Sequence, residues 1–372
     1  MVQSSILKKL SDLGQSVWYD NISRELIQNG GLGNIVASGV TGLTSNPSIF
    51  EKSISSSSIY DGDIESLALK GLENEEIFET LAISDIQAAA DLLKGVYHAT
   101  SGSDGFVSLE VNPHLATDTN GTIEEARKLF NAVDRSNLMI KVPATPAGIP
   151  AIKTLISEAI NVNVTLIFSR KVYADVREAY ISGLENLLDR GGDLSKVSSV
   201  ASFFVSRVDT AVDGCLEAAD QHLIGKSAIA NAKAAYSDFS HTFASQRCRA
   251  LLNNGARVQR PLWASTSVKN PDFSDVMYVD SLVGPDTVNT MPDVTLEAYM
   301  DHGQPNNPTI VESLEESFSH LDMLEAAGIN MELLTEKLLA DGLKAFSDSF
   351  DQLINNISEK RTSLLVEQQS SD

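Results

Sequence analysis

The sequence has few cysteines and histidines, and those present are not spaced as in disulfide or metal sites. Its two cysteines, Cys215 and Cys248, lie in segments of helical character and do not form a C-x-x-C pair. The six histidines are scattered, and none of them forms an H-x-x-x-H pair. The sequence therefore predicts neither a disulfide framework nor a metal site.

Positive charge and long apolar runs are equally scarce. The chain has 28 lysines and arginines against 50 aspartates and glutamates, a formal net charge of -22, which argues against a nucleic-acid or anionic-membrane surface. No window approaches a membrane span, and the N-terminal segment lacks the apolar run of a signal peptide. We therefore expect a cytoplasmic protein that contacts neither nucleic acid nor membrane. Both a monomer and a homodimer are compatible with these properties.

Glycine-rich phosphate-binding loops are missing as well, since Gly30, Gly31 and Gly33 do not complete a G-x-G-x-x-G motif. What the chain has is an alternation of short apolar strands with helical segments, repeated eight times. This alternation predicts an α/β fold, a closed (β/α)8 TIM barrel. The predicted strands cover residues 16–20, 40–47, 105–111, 137–145, 161–168, 198–205, 257–265 and 276–283.

Helical patterns predict additions at both ends of this barrel. A helix over residues 4–13 precedes the first strand, and helices over 309–327 and 331–354 follow the last. Within the barrel, Thr122 and Glu125 have capping-box spacing, and Ser169 is placed to cap a helix. We expect a single domain over residues 1–360 and, from its polar composition, a disordered tail over 361–372.

The fourth predicted strand, residues 137–145, contains a lysine among large apolar residues. Lys141 follows Leu138, Met139 and Ile140 and precedes Val142. Burying an ammonium group is costly unless it finds a carboxylate partner or becomes neutral, and a neutral amine is a nucleophile for carbonyls. For a lone lysine, a packed stem with its charged head in water is the more common arrangement.

Polar side chains at the ends of other predicted strands favour the chemical interpretation. In a parallel barrel these ends meet at one face, where active sites lie. An amine there can form an iminium ion with a ketone, carboxylates can move the protons, and amides can hold substrate hydroxyls. The set comprises Asp20, Asn46, Glu110, Lys141, Asn163, Thr165, Ser202 and Ser265.

Seven motifs containing these residues make the chain resemble the transaldolases, in particular those of the longer bacterial type. They follow the family order through most of the chain, which is more specific than any single motif. The motifs are Trp18-Tyr19-Asp20, Gly42 to Ser48 (GLTSNPS), Ser108-Leu109-Glu110-Val111, Ile140 to Thr145 (IKVPAT), Asn163 to Ser169 (NVTLIFS), Ser202 to Arg207 (SFFVSR) and Trp263-Ala264-Ser265-Thr266.

The resemblance implies a reaction and a role for each residue. A dihydroxyacetone unit would pass from sedoheptulose 7-phosphate to glyceraldehyde 3-phosphate, giving erythrose 4-phosphate and fructose 6-phosphate in the pentose phosphate pathway. No cofactor is needed because the iminium ion is the electron sink. By resemblance, Lys141 forms the Schiff base, Asp20 is the acid and base for the carbon–carbon bond, and Glu110 with Thr165 holds the catalytic water. The residues expected to bind the substrate are Asn46 and Asn163 at its hydroxyls, Ser202 and Phe204 along the site, and Arg207 and Ser265 at the phosphate.

The chain departs from the family pattern at the phosphate. Many transaldolases have an arginine two residues after the serine that corresponds to Ser265, where this chain has Ser267. Either Lys269 supplies the second positive charge, or Arg207 and hydroxyl groups hold the phosphate without it. Arg257 and Arg260 come too early in their strand to replace the missing arginine.

Other interpretations stay open at this stage. Asp20 and Asn46 each have the position of a helix cap or turn residue, and Glu110 and Lys141 could form a purely structural ion pair. Arg207 could pair with Asp209 or Asp213 on its own helix. At the level of function, the alternatives are an aldolase that cleaves fructose 6-phosphate without an acceptor and a catalytically inactive sugar-phosphate-binding barrel.

Overall fold

Eight parallel strands close into a barrel in chain order, with the eighth strand pairing with the first. The computed structural model describes residues 5–371, and side chains as far as residue 366. The strands are β1 (Gln15–Tyr19), β2 (Gly42–Leu43), β3 (Val107–Glu110), β4 (Leu138–Pro143), β5 (Val162–Ile167), β6 (Ser199–Phe204), β7 (Arg260–Ala264) and β8 (Thr287–Met291). The predicted (β/α)8 barrel is thus confirmed.

Helices connect the strands and extend the fold at both ends. The first half of the chain contains α1 (Ile6–Asp12), α2 (Arg24–Gln28), α3 (Gly31–Ala37), α4 (Pro47–Ser55), α5 (Asp61–Leu69), α6 (Asn74–Ala99), α7 (Thr119–Val133) and α8 (Gly148–Ser157). The second half contains α9 (Arg170–Asp189), α10 (Ser206–Asp213), α11 (Ser227–Phe243), α12 (Gln246–Asn253), α13 (Met277–Ser281), α14 (Asp293–His302), α15 (Leu314–Ala326) and α16 (Met331–Ser371). Among residues 5–371, no helix combines the length and apolar character needed to cross a membrane.

Two predicted helix starts have different outcomes. Ser169 caps α9 as predicted, since its hydroxyl accepts a hydrogen bond from Val172 N at 3.1 Å. The predicted capping box at Thr122 is wrong, because α7 begins earlier and is capped by Asp118, which accepts from Gly121 N at 3.0 Å. Thr122 lies within α7 instead of at its start, and its buried hydroxyl donates a hydrogen bond to Leu115 O.

The predicted eighth strand, residues 276–283, is also wrong. Its apolar residues form the short helix α13, and the barrel is closed by β8, whose sequence is more polar. Asn289 in β8 is fully buried, and its side-chain oxygen accepts a hydrogen bond from Thr266 at 3.1 Å. A hydrophobic pattern does not reveal a strand that buries polar side chains inside the barrel.

The segment around β2 is more helical than its sequence indicates. The predicted strand over residues 40–47 is reduced to Gly42 and Leu43, and α4 begins at once after Asn46. At Gly42, a Cβ would clash with the Trp18 indole of the neighbouring strand. Glycine therefore lets the β1 tryptophan pack against the β2 backbone.

The last helix, α16, differs most from its prediction. It is predicted over residues 331–354 but continues through residue 371, whereas residues 361–372 are predicted as a disordered tail. Lys360 pairs with Asp61 at 2.6 Å, and Arg361 donates to Asn74 at 3.2 Å, so α5 and the start of α6 hold this part of the helix. Ser4, where the first helix is predicted to begin, and Asp372 lie outside the described residues.

Helix α16 crosses the end of the barrel at which the strands finish. At one point Gly342 lies against the end of β5 and the start of α10, where a Cβ would be 3.0 Å from Leu166 Cδ2 and 3.6 Å from Arg207 Nη1. Two turns further on, Ser349 forms a 2.8 Å hydrogen bond with Ser48 of α4. The helix thus covers the face where active sites of such barrels lie.

Candidate active site

Lys141 lies in β4 inside the barrel and is 5% exposed. Its Nζ donates to the carbonyl oxygen of Ser45 at 2.9 Å and lies 3.2 Å from Glu110 Oε2. The register of β3 with β4 places Glu110 directly opposite Lys141. The lysine therefore does not extend to water, and it has the carboxylate partner that a buried ammonium needs.

Asp20 and Glu110 are both carboxylates whose pKa burial raises. In each case the positive charge of Lys141 opposes this effect and favours the ionised form. Thr44 Oγ1 donates to Asp20 Oδ1 at 2.6 Å and so also favours the ionised form. Two carboxylates with raised pKa beside one amine can exchange protons with bound groups.

Two buried polar atoms near the lysine have unused hydrogen-bonding capacity. Apart from its contact with Lys141, Glu110 Oε2 has no hydrogen-bond partner among the described residues, and neither has Thr165 Oγ1. On β5, Asn163 lies opposite Lys141, and Thr165 follows on the same face of the strand. This arrangement fits a water molecule held by a carboxylate and a hydroxyl beside the amine.

Asn163 and Ser202 form a chain of hydrogen bonds inside the barrel. Asn163 Nδ2 donates to Ser108 Oγ at 3.0 Å, and Asn163 Oδ1 accepts from Ser202 Oγ at 2.7 Å. Both residues are buried, so this chain fixes the orientation of the amide. One N–H of the Asn163 amide is left for a further partner.

Asn46 is the N-cap of α4. Its Oδ1 accepts a hydrogen bond from Ile49 N at 3.0 Å, as in the helix-cap interpretation of the sequence. The cap uses only the oxygen, so both N–H groups of the amide can donate to another molecule. A structural role and a binding role are thus compatible at this residue.

Arg207 lies in the first turn of α10, shortly after the end of β6. It has no carboxylate partner among the described residues. Its guanidinium lies 5.3 Å from the centre of the Phe204 ring, and burial lowers its pKa. Asp209, which the sequence offers as a partner, instead accepts hydrogen bonds from Ala228 N and Tyr278. The unpaired guanidinium is suited to an anionic ligand.

Ser265 follows β7 with its backbone in the left-handed region, at a φ of 57°. Its hydroxyl lies 2.9 Å from that of Ser206, next to Arg207. Lys269 is exposed and donates to Ser267 at 2.6 Å. Arg257 and Arg260 lie at the opposite end of the strand, where Arg260 contacts Ser16 of β1.

Sequence reasoning missed two side chains that contact the catalytic candidates. Thr44, which donates a hydrogen bond to Asp20, belongs to the Gly42 to Ser48 motif, but nothing in the sequence around it indicates this contact. Phe346 of α16 places its ring centre 5.8 Å from Lys141 Nζ. Its only sequence signal is the apolar pair that it forms with Phe350, one turn later on a mostly polar helix.

Comparison with known proteins identifies the family. Residues 17–357 match the family model described as transaldolase/fructose-6-phosphate aldolase. The transaldolase of Thermobifida fusca is 47% identical over 361 residues, which cover 96% of this chain and 98% of that protein. The transaldolase of Neisseria gonorrhoeae is 45% identical over 350 residues, covering 94% of this chain and 99% of that protein. The chain belongs to the transaldolase/fructose-6-phosphate aldolase family.

Proposed function

We propose that this protein is a transaldolase of the pentose phosphate pathway. It transfers a dihydroxyacetone unit from sedoheptulose 7-phosphate to glyceraldehyde 3-phosphate, giving erythrose 4-phosphate and fructose 6-phosphate. Family membership and the names of the relatives support this activity and its sugar-phosphate substrates. The observation that carries the mechanism is the buried Lys141, with the Glu110 carboxylate 3.2 Å from its Nζ.

The first step is formation of the imine. Glu110 takes a proton from the Lys141 ammonium, and the neutral amine attacks the ketone carbon of the donor sugar. Loss of water from the carbinolamine needs a proton donor, which Glu110 supplies through a water held with Thr165. The raised pKa of Glu110 suits a carboxyl group that must both accept and donate a proton.

The second step is exchange of the aldehyde. Asp20 accepts the proton of the hydroxyl beyond the scissile bond, the carbon–carbon bond breaks, and its electron pair flows into the iminium ion. The resulting enamine stays on Lys141 until the acceptor aldehyde binds. The same groups then act in reverse, because the new bond is formed by the same chemistry. Thr44 keeps the Asp20 carboxylate in place throughout.

The remaining residues position the substrate. The free N–H groups of Asn46 and Asn163 donate to hydroxyls of the dihydroxyacetone unit, and Ser202 and Phe204 form the wall beside it. Arg207 and Ser265 hold the phosphate, which agrees with the unpaired guanidinium and with the contact between the hydroxyls of Ser265 and Ser206, the residue before Arg207. Lys269 is the second candidate cation for the phosphate, although its side chain bonds Ser267 here.

The acceptor distinguishes a transaldolase from an aldolase, the other activity in the family name. An aldolase would release glyceraldehyde 3-phosphate and free dihydroxyacetone from fructose 6-phosphate without an added aldehyde. Glu110 beside the lysine favours transfer, because related aldolases activate the catalytic water differently. We propose that product formation depends on added erythrose 4-phosphate or glyceraldehyde 3-phosphate.

We also infer that the protein is cytoplasmic and that it is a monomer or a homodimer. Both inferences rest on the composition described above.

Borohydride trapping tests the proposed mechanism. The protein is mixed with fructose 6-phosphate, reduced with borohydride and analysed by intact mass and peptide mapping. An imine is reduced to a stable amine, so the donor fragment should be found on the peptide that contains Lys141. Lys141→Met, whose unbranched side chain is one atom shorter and has no amine, is the control and should give no adduct. If neither fructose 6-phosphate nor sedoheptulose 7-phosphate gives an adduct with the unmodified protein, the imine mechanism is excluded.

A further inference from the structure

Helix α16 is held on both sides of the barrel mouth. On one side, Gly342 packs against Leu166 and Arg207. On the other, Asn356 donates to Glu51 of α4 at 2.8 Å and Lys360 pairs with Asp61 of α5. The residues between these contacts are therefore fixed over the ends of the strands.

Phe346 occupies this central part of α16 and faces the catalytic lysine. Its ring centre lies 5.8 Å from Lys141 Nζ, within the range of a cation–π contact. Phe346 is 6% exposed, and the side chains of Lys141 and Glu110 are 6% and 5% exposed. The aromatic ring thus separates the amine from the solvent above the barrel.

The enamine that waits for the acceptor needs this separation. If its nucleophilic carbon takes a proton from solvent water, the enamine becomes an iminium ion. Water then adds to the iminium carbon, the carbon–nitrogen bond breaks, and free dihydroxyacetone leaves while the lysine amine is regenerated. The water consumed here replaces the water lost when the imine formed, so the net reaction is cleavage of the donor without transfer.

We propose that Phe346 is a specificity-determining residue that directs the enamine to the acceptor aldehyde instead of to water. Its ring excludes bulk water from the amine, while the water needed for imine chemistry is the one held by Glu110 and Thr165. This inference rests on the proposed transaldolase function. It assigns to the last helix a direct part in the balance between transfer and release.

The test compares two rates in the same protein. Transfer is measured with fructose 6-phosphate and erythrose 4-phosphate, and release is measured as free dihydroxyacetone formed from fructose 6-phosphate alone. In Phe346→Ala, the ratio of release to transfer should rise about tenfold or more, because solvent reaches the enamine. The matched control is Ile357→Ala, since Ile357 is also buried on α16 but lies beside Asn356 and Lys360, which contact α4 and α5 away from Lys141. Its ratio should equal that of the unmodified protein.

Each outcome decides the question. An unchanged ratio in Phe346→Ala, or an equal rise in Ile357→Ala, would overturn the proposal, since the effect would then not come from the ring above Lys141. If Phe346→Ala does not fold, Phe346→Val takes its place and is judged by the same ratio. Failure of the proposed function is separate, because the unmodified protein would then show no transfer to added erythrose 4-phosphate, whatever the Phe346 variants do.

Discussion

Glu110 is buried opposite Lys141, and its proposed role in moving protons can be separated from binding. Glu110→Gln keeps the size of the side chain but removes its ability to accept a proton. We expect kcat to fall by about 100-fold or more, as is typical when a general acid or base is lost, with KM changed far less. Quenching with borohydride at short times measures imine formation directly. A raised KM at an unchanged kcat would show that Glu110 binds substrate without taking part in the chemistry.

Asp209 lies on α10, close to the proposed phosphate site, and burial raises the pKa of its carboxyl group from 3.8 to about 6. Because the pKa is higher in the folded state than in the unfolded state, protonation stabilises the fold. This contribution is complete below the unfolded pKa and is lost as the pH rises through about 6.

The variant Asp209→Asn should therefore change how stability depends on pH. On going from pH 4 to pH 7, the unmodified protein should lose about 2 to 3 kcal/mol more free energy of unfolding than the variant. Urea unfolding at the two pH values measures the difference. The control is Asp322→Asn, at an exposed aspartate of α15. Parallel pH profiles for Asp209→Asn and the unmodified protein would contradict the expectation.

Individual site residues could be predicted to different extents. Lys141 and Glu110 could be predicted as neighbours, because consecutive parallel strands in a closed barrel bring their ends together. Phe346 could not, because its contact with Lys141 joins residues about 200 positions apart through a helix that returns over the barrel. The pattern of α16 shows an apolar face but not the surface that this face covers.

Among the elements, α4 joins structure to binding through its cap, Asn46. Asn46→Asp keeps an oxygen that can cap the helix but loses the amide donors and adds a negative charge. We expect the free energy of unfolding to stay within about 0.5 kcal/mol of the original value, since aspartate and asparagine are similar N-caps. Activity with fructose 6-phosphate should fall markedly, through kcat, KM or both.

Asn46→Ala provides the comparison. It loses both the cap and the donors, so it should be about 1 kcal/mol less stable and also less active. Denaturant unfolding and steady-state kinetics on the two variants separate the roles. If Asn46→Asp retained full activity, the amide would not bind substrate.

The strands and helices show where local patterns stop being informative. Six strands lie close to their predicted positions, because runs of buried apolar residues mark them, whereas β2 keeps only Gly42 and Leu43 of its predicted span. The eighth strand is predicted in the segment that forms α13, since Asn289 and Thr290 make β8 too polar to stand out, although both are buried. In the closed barrel, Asn289 accepts a hydrogen bond from Thr266 and Thr290 shares one with Thr44, and both contacts depend on the closure of the whole sheet.

At the scale of the whole molecule, the described contacts support a single cooperative unit. Helix α16 packs against α4, α5, α6 and α10 as well as β5, so it joins the two halves of the helical layer. We expect calorimetry to show one unfolding transition, with equal calorimetric and van't Hoff enthalpies. An earlier transition that removes helical signal and leaves the barrel folded would show that α16 is a separate unit and would contradict the predicted single domain.

The position of α16 in the chain has a consequence for synthesis. All eight strands precede this helix in the sequence, and protein chains are made from the N-terminus. A ribosome therefore produces all eight strand segments before it produces the segment that covers Lys141. Because we expect α16 to belong to the same cooperative unit as the barrel, the chain should complete its fold only after those residues emerge. A message truncated within the α16 codons should therefore give a chain that lacks the cover over Lys141 and is less stable than the whole protein.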